Sequence, residues 1–341
     1  MNNSVYIQNS NSVSKINRNF LISIVPAILF YIFNNGVIPF IKDNSFITLI
    51  YPIIFILSGL FSSILFDIFY SKIFLKKLKI KYNSVILGLI LCLILPIKTP
   101  IFLLMIAIFL TSIFKIVLKK DNYNPVLIGY LIIFVIYLRN IYIINTNPIK
   151  DYLDFIKKSE NLVNYFFGLS NYISPFICIL SLCFLVYKRA IKWKIPIISI
   201  TTSFIISLLI GNIYNLKIDF ALFYIFSNYF LFFIVFIASN NITTPVTSIG
   251  QIIYAILLSI LTIFFDFLTP ISNGIFISIL VLNLLGDIID ILVSISDMAL
   301  KKIFIPLIFC IIITLLVIKL VDKKIDIYNL HFSEAYNLYN P

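Results

Sequence analysis

The chain is poor in the residues most chemistry needs. It has one histidine, His331, and four cysteines, Cys92, Cys178, Cys183 and Cys310, in 341 residues. With no C-x-x-C pair and a single imidazole, a zinc or iron–sulfur site built from this chain alone is not expected, and the cysteines, all inside apolar runs, read as buried free thiols. Any metal cluster would need ligands from another subunit. Phosphate-binding G-x-x-x-x-G-K-[ST], dinucleotide-binding G-x-G-x-x-G, H-E-x-x-H and the G-x-S-x-G nucleophile elbow are all missing, which removes nucleotide hydrolysis, Rossmann-type binding, zinc proteolysis and triad chemistry. Charge is scarce too, with 12% Asp, Glu, Lys and Arg.

What remains is apolar. Hydrophobic residues make up 61% of the chain and the mean hydropathy is +1.07, a surface no water-soluble domain would tolerate. Runs of continuous, not alternating, apolar residues recur from Phe20 to Val321. A hydrocarbon layer about 30 Å thick takes roughly 20 residues of helix per crossing. The expected fold class is therefore all-α, a polytopic membrane protein of about 10–11 transmembrane helices. Spans are predicted at 20–41, 46–70, 84–96, 100–118, 126–145, 172–187, 195–213, 220–239, 251–268, 273–291 and 303–321. The third is short and closed by Pro96 and Pro100, so 84–118 is expected to be a broken or re-entrant hairpin. The chain divides into an amino-terminal segment 1–19, a transmembrane domain 20–291, and a linker, extra helix and polar tail over 292–341. The first apolar run holds Pro26 and lacks a small-residue cleavage site, so it is expected to remain as a span.

The net charge of +12 invites a nucleic-acid reading, but the cations sit in short connections. Lys72, Lys76, Lys77, Lys79 and Lys81 follow the second span, Lys119 and Lys120 the fourth, and Lys188, Arg189, Lys192 and Lys194 the sixth. Positive charge accumulates in cytoplasmic loops. The count predicts a multi-pass protein of the cell membrane with a cytoplasmic amino terminus, an external loop at 146–171, and no nucleic-acid partner.

Polar residues are few enough to stand out. Ser239 to Gln251 form an uncharged island whose Pro245 and Gly250 predict an ordered turn between helices, with Gly250 supplying backbone freedom. Asp67 lies at the end of an apolar span, where a lone carboxylate deep in the bilayer costs about 2.5–3.5 kcal/mol. It is either an ion or cofactor contact or a side chain reaching the interface beside Lys72 and Lys76. Asp287 and Asp290 share a helix face at the end of the tenth span, and Asp266 is expected at a rim.

Taken in order, these pieces resemble the D-type membrane subunit of the Rnf-type ion-translocating electron-transport complex and, more distantly, the B-type subunit of the sodium-pumping NADH:quinone reductase. The similar stretches are Ser14-Lys15-Ile16 with Val25-Pro26-Ala27, Leu65-Phe66-Asp67 with Tyr70, Gly88-Leu89 with Leu95-Pro96, the Asn124-Pro125-Val126-Leu127-Ile128-Gly129 turn, and Trp193-Lys194-Ile195-Pro196. The strongest is Thr244-Pro245-Val246-Thr247 with Gly250-Gln251-Ile252-Ile253-Tyr254, then Gly274, Asn283 and Asp290.

The resemblance implies a subunit that carries flavin mononucleotide (FMN), couples electron transfer to Na+ or H+ movement, works beside other subunits of an Rnf-like complex, and holds a second, non-covalent flavin. It implies a phosphoester between FMN and a threonine followed by proline. Here Asn147 precedes Pro148, and Thr146 is the candidate anchor after a one-residue shift. Thr244 and Thr247 become candidate cofactor contacts, and Asp67, Asp290 and Asn124 candidates for the ion path or the cofactor surroundings. Tyr130 stands where the family carries an arginine. A diverged paralogue without covalent flavin, acting as a small-molecule transporter or membrane scaffold, is the alternative these departures suggest.

Overall fold

The computed structural model describes residues 13–75, 82–118, 124–138, 148–157, 161–168, 173–214, 216, 218–227, 229–240, 243–268 and 274–295. The predicted eleventh span, the tail with His331 and Cys310, and the candidate anchor Thr146 with Asn147 lie outside them.

Among the described residues the chain is helical without strands. Helix α1 runs Val13–Asp43 through a π-helical turn at Phe33–Val37, starting ahead of the predicted span. Helix α2 is Phe46–Tyr70, continued by a π-helical turn at Ser71–Leu75. Next come α3 (Tyr82–Ile94), α4 (Ile101–Leu118) and α5 (Pro125–Ile133, with a π-helical turn at Phe134–Leu138). Two short helices, α6 (Pro148–Lys157) and α7 (Leu162–Phe167), occupy the stretch expected to be a plain loop. Alternating contacts explain α6: Ile149, Tyr152 and Phe155 are buried while Asp151, Leu153 and Ile156 are exposed, and its rings pack on those of α10 at 5.2–5.5 Å.

The second half contains α8 (Pro175–Tyr187), α9 (Lys194–Ile213), α10 (Asp219–Ser227), α11 (Phe230–Phe233, with a π-helical turn at Ile234–Ala238), α12 (Ser248–Leu268) and α13 (Gly274–Ile295). The predicted single span 220–239 is in fact the α10–α11 pair, bent by 56°. Five helices, α1, α2, α9, α12 and α13, are long and apolar enough to cross a membrane, six if the bent pair counts as one span. Shorter apolar helices α3, α4, α5 and α8 occupy the other predicted positions. Leu29, Ile47, Phe61, Phe102, Leu180 and Ile205 point outward. Water would penalise such a surface and lipid does not.

Two segments are buried on every side: Ile86 to Ile94 of α3 and all of α11. Both are too short to span alone; beyond the first Thr99 is buried, and beyond the second Ser239 is buried. In the α3–α4 connection the Thr99 N–H and hydroxyl both donate to Pro96 O (2.9 and 2.6 Å). Helix α3 rests on α2 through glycine. A Cβ on Gly88 would stand 2.8 Å from Gly59 O and 3.1 Å from Ser63 Cβ, and one on Gly59 would stand 2.1 Å from Cys92 Sγ. This contact between backbones is the dispersion-driven packing that small residues allow in lipid. Tyr130 enters the same core, 4.6 Å from the Phe276 ring and 6.3 Å from that of Phe233, so it serves there as an aromatic packing group.

Hydroxyls join α9 to α12. Ser259 Oγ donates to Ser199 O (2.8 Å) and Thr202 Oγ1 to Ser259 Oγ (2.6 Å). Of the thiols, Cys92 and Cys178 are buried as expected, but Cys183 is exposed, because its place on α8 turns to the outer surface.

Candidate functional site

The polar island is drawn together by two residues far from it in sequence. Thr247 caps α12, its Oγ1 accepting the Gly250 N–H (3.1 Å), which satisfies one orphan donor of the first turn. Gln251 N–H donates to Thr247 O (3.0 Å) and the Gln251 amide to Val246 O (3.2 Å). Asp290 arrives from α13. Its carboxylate takes the Val246 N–H (2.7 Å), the Thr247 N–H (3.1 Å) and the Thr247 hydroxyl (2.5 Å). Gly250 has no left-handed backbone, which corrects the expectation of conformational freedom. Space is the reason for it: a Cβ there would meet Thr247 Oγ1 at 2.5 Å and Asp290 Oδ1 at 2.8 Å.

Lys192 arrives from the other side. Helix α8 ends with Arg189 in the left-handed region (φ 51°), and the Ala190 N–H returns to Leu185 O (2.9 Å). From this tight reversal the Lys192 ammonium donates to Thr244 O (3.0 Å), Thr244 Oγ1 (2.9 Å) and Pro245 O (3.1 Å). Burial lowers its pKa below the ordinary lysine value, and the Asp290 carboxylate works against that fall. Lys194 adds a hydrogen bond to Ser248 Oγ.

Asn124 connects to the same end of the bundle. Its side-chain oxygen caps α5 by accepting the Val126 N–H (3.1 Å), and its amide donates to Ile237 O (3.5 Å) at the end of α11. Ile237 O also takes the Asn240 N–H (3.3 Å), and Asn240 O accepts the Thr244 hydroxyl (2.8 Å). Thus Asn124, Thr244, Thr247 and Asp290 belong to one connected arrangement. Nearby, Tyr254 donates to Asn283 Oδ1 (3.3 Å). Asn283 Nδ2 and Thr243 Oγ1 are buried without a hydrogen-bond partner among the described residues.

Asp67 is held separately. It is buried and accepts the Ser84 hydroxyl of α3 (2.8 Å), so it faces protein instead of reaching outward beside exposed Lys72. Asp287 is exposed.

At the opposite end of the bundle, Asp266 is buried and not at a rim. Tyr224 donates to its Oδ2 (2.6 Å) and the Gly274 N–H to its Oδ1 (2.6 Å), so one carboxylate ties α12 to the bent α10–α11 pair and to the start of α13. Removing the phenolic hydroxyl takes away one hydrogen bond to a buried charge. Tyr224→Phe is expected to cost about 1.5–3 kcal/mol, read as a lower thermal midpoint in detergent, whereas Tyr187→Phe, at an exposed position, should change little.

Sequence reasoning overlooked Lys192, Ser84 and Tyr224. Lys192 hid among cations that orient the loop, and nothing local marks Ser84 or Tyr224. Residues 192, 244 and 290 meet at one end, while α6, Tyr224 and Gly274 lie towards the other. Among the described residues no group of three or more His, Cys, Asp and Glu side chains is placed to hold a metal ion.

Architecture and site together define a multi-pass helical membrane protein with buried half-helices and a polar turn locked from two sides. The family model described as "NQR2, RnfD, RnfE family" matches residues 1–299, and the chain belongs to that family. It is similar to the D-type subunit of the ion-translocating oxidoreductase complex of Methanosarcina acetivorans, with 27% identity over 222 residues, covering 62% of this chain and 70% of that protein. It is also similar to the D-type subunit of the proton-translocating ferredoxin:NAD(+) oxidoreductase complex of Clostridium ljungdahlii, 24% identical over 320 residues, 85% of this chain and 93% of the relative. A third relative is the corresponding D-type subunit of the ion-translocating oxidoreductase complex of Buchnera aphidicola, 24% identical over 352 residues, 84% and 94% of the two chains.

Proposed function

We propose that this chain is the D-type subunit of an Rnf-like complex in the cell membrane, where it couples flavin-mediated electron transfer to translocation of Na+ or H+ alongside the complex's other subunits. The observation that carries the reading is the match to the family over 1–299, a range that includes every described helix. The distribution of lysines supports a cytoplasmic amino terminus and a cytoplasmic Thr244–Thr247 turn, with α6 and α7 external.

Thr146 is the residue that would hold FMN covalently. It supplies the hydroxyl a phosphoester needs, whereas the amide of Asn147 does not. It also lies two residues before Pro148, the first residue of the ten-residue helix α6, whose dipole favours a phosphate at that end. A bound flavin would contribute one- and two-electron chemistry, and the protein's part is to bind, orient and shield it. The test is in-gel fluorescence of the denatured, purified chain. A flavin band in the wild type that vanishes in Thr146→Ala is expected. A band surviving that substitution refutes Thr146 as anchor, and no band together with no flavin in the extracted cofactors refutes the flavoprotein reading.

The second reading, a paralogue without covalent flavin that acts as a transporter or scaffold, is favoured by Asn147 before Pro148 and by the aromatic packing of Tyr130. In that case the wild-type band would be dark.

A further inference from the structure

We propose that Thr244 O, Thr244 Oγ1 and Pro245 O form a monovalent-cation site whose resident is the chain's own Lys192 ammonium, a tethered cation in place of a free one. Three oxygens lie 2.9–3.1 Å from Nζ, and none of the three is a carboxylate. Two backbone carbonyls and a hydroxyl are a hard-oxygen set, and backbone carbonyls freed from a helix are ligands that coordinate Na+.

The surroundings favour positive charge. The nest follows the carboxyl-terminal end of α11, where the helix dipole leaves partial negative charge, and Asp290 holds the next two residues through their N–H groups, acting on Lys192 electrostatically. A separate observation points to coordination chemistry: Thr243, the neighbouring residue, is buried with its hydroxyl oxygen unpartnered among the described residues, an uncommitted ligand beside the nest. With Lys192 in place, the turn keeps its shape without an ion from solution. Without it, three inward oxygens face each other uncompensated, and an alkali ion restores what the ammonium supplied.

The nest belongs to the isolated chain and is independent of redox activity. Its test is the thermal midpoint of the purified, detergent-solubilised full chain in NaCl, KCl or choline chloride at equal ionic strength. Wild type is expected to show the same midpoint in all three. Lys192→Met is expected to fall by several degrees in choline chloride and to regain most of that loss, saturably, in NaCl or KCl. Adding Asp290→Asn to Lys192→Met should abolish the recovery, and Lys192→Gln, which keeps a donor but no charge, should respond as Lys192→Met does. A methionine variant equally unstable or equally unfolded in all three salts overturns the proposal, as does a wild-type chain that responds to Na+ as strongly as the variant.

Discussion

Asp290→Asn is expected to destabilise the protein nearly as much as Asp290→Ala. The carboxylate accepts two backbone N–H groups and a hydroxyl. An asparagine can offer an oxygen to one N–H but turns its own NH2 toward the other, placing donor against donor. Hydrogen bonds to a charged group contribute about 1.5–3 kcal/mol each, though not additively, and Asp290 is only half-buried. A net loss of about 2–4 kcal/mol is a reasonable scale. The measurement is thermal unfolding in detergent, followed by activity of the assembled complex, because the turn's geometry should fail before the fold does. A midpoint unchanged by Asp290→Asn would show that the turn is held by Lys192 and the Thr247 cap alone.

The second large effect is expected where α2 meets α3. Gly59→Ala places a methyl 2.1 Å from Cys92 Sγ, and a packed core resists such overfilling by about 1–3 kcal/mol. The thiol is the obstacle, so Cys92→Ala in the same chain should restore most of the loss. Non-additivity of about 0.5–3 kcal/mol is the expected signature of touching residues. Gly88 is less forgiving, because its added Cβ would meet the Gly59 carbonyl, which is backbone. Gly88→Leu should prevent α3 from docking and give no monodisperse protein. If Gly59→Ala is harmless, or if Cys92→Ala fails to rescue it, the close approach of these helices is wrong.

These two sites also show what the sequence could and could not reveal. In a chain this greasy, a cluster such as Thr244, Thr247 and Gly250 stands out, and an ordered turn there is legible without a structure. The helical class, and the long apolar helices α1, α2, α9, α12 and α13, follow from hydrophobic run length for the same reason. Partners are another matter. Lys192 lies 52 residues from Thr244 and reads as one more orienting cation, and Asp266 looked like a rim residue until Tyr224, 42 residues away, closed over it. The break between Phe226 and Phe230 coincides with Ser227 and Asn228, a two-residue polar interruption too short to outweigh the apolar run on either side. Helix α6 was missed because its polar residues resemble loop chemistry, while its buried face is only Ile149, Tyr152 and Phe155.

Tyr130 carries the remaining lesson. By pattern alone it is a departure from the family. In the fold it is an aromatic contact between α5, α11 and α13, a packing role that stands whether or not electrons pass through this subunit.

Ion uptake by inverted membrane vesicles tests the central claim most directly. Vesicles from cells with the chain and from cells lacking it would be supplied with reduced ferredoxin and NAD+, the pair for which the Clostridium ljungdahlii complex is named, and Na+ and H+ uptake followed. Uptake driven by electron transfer in the first and lost in the second, restored by the wild-type chain, is the predicted result. Equal uptake with and without the chain would contradict it.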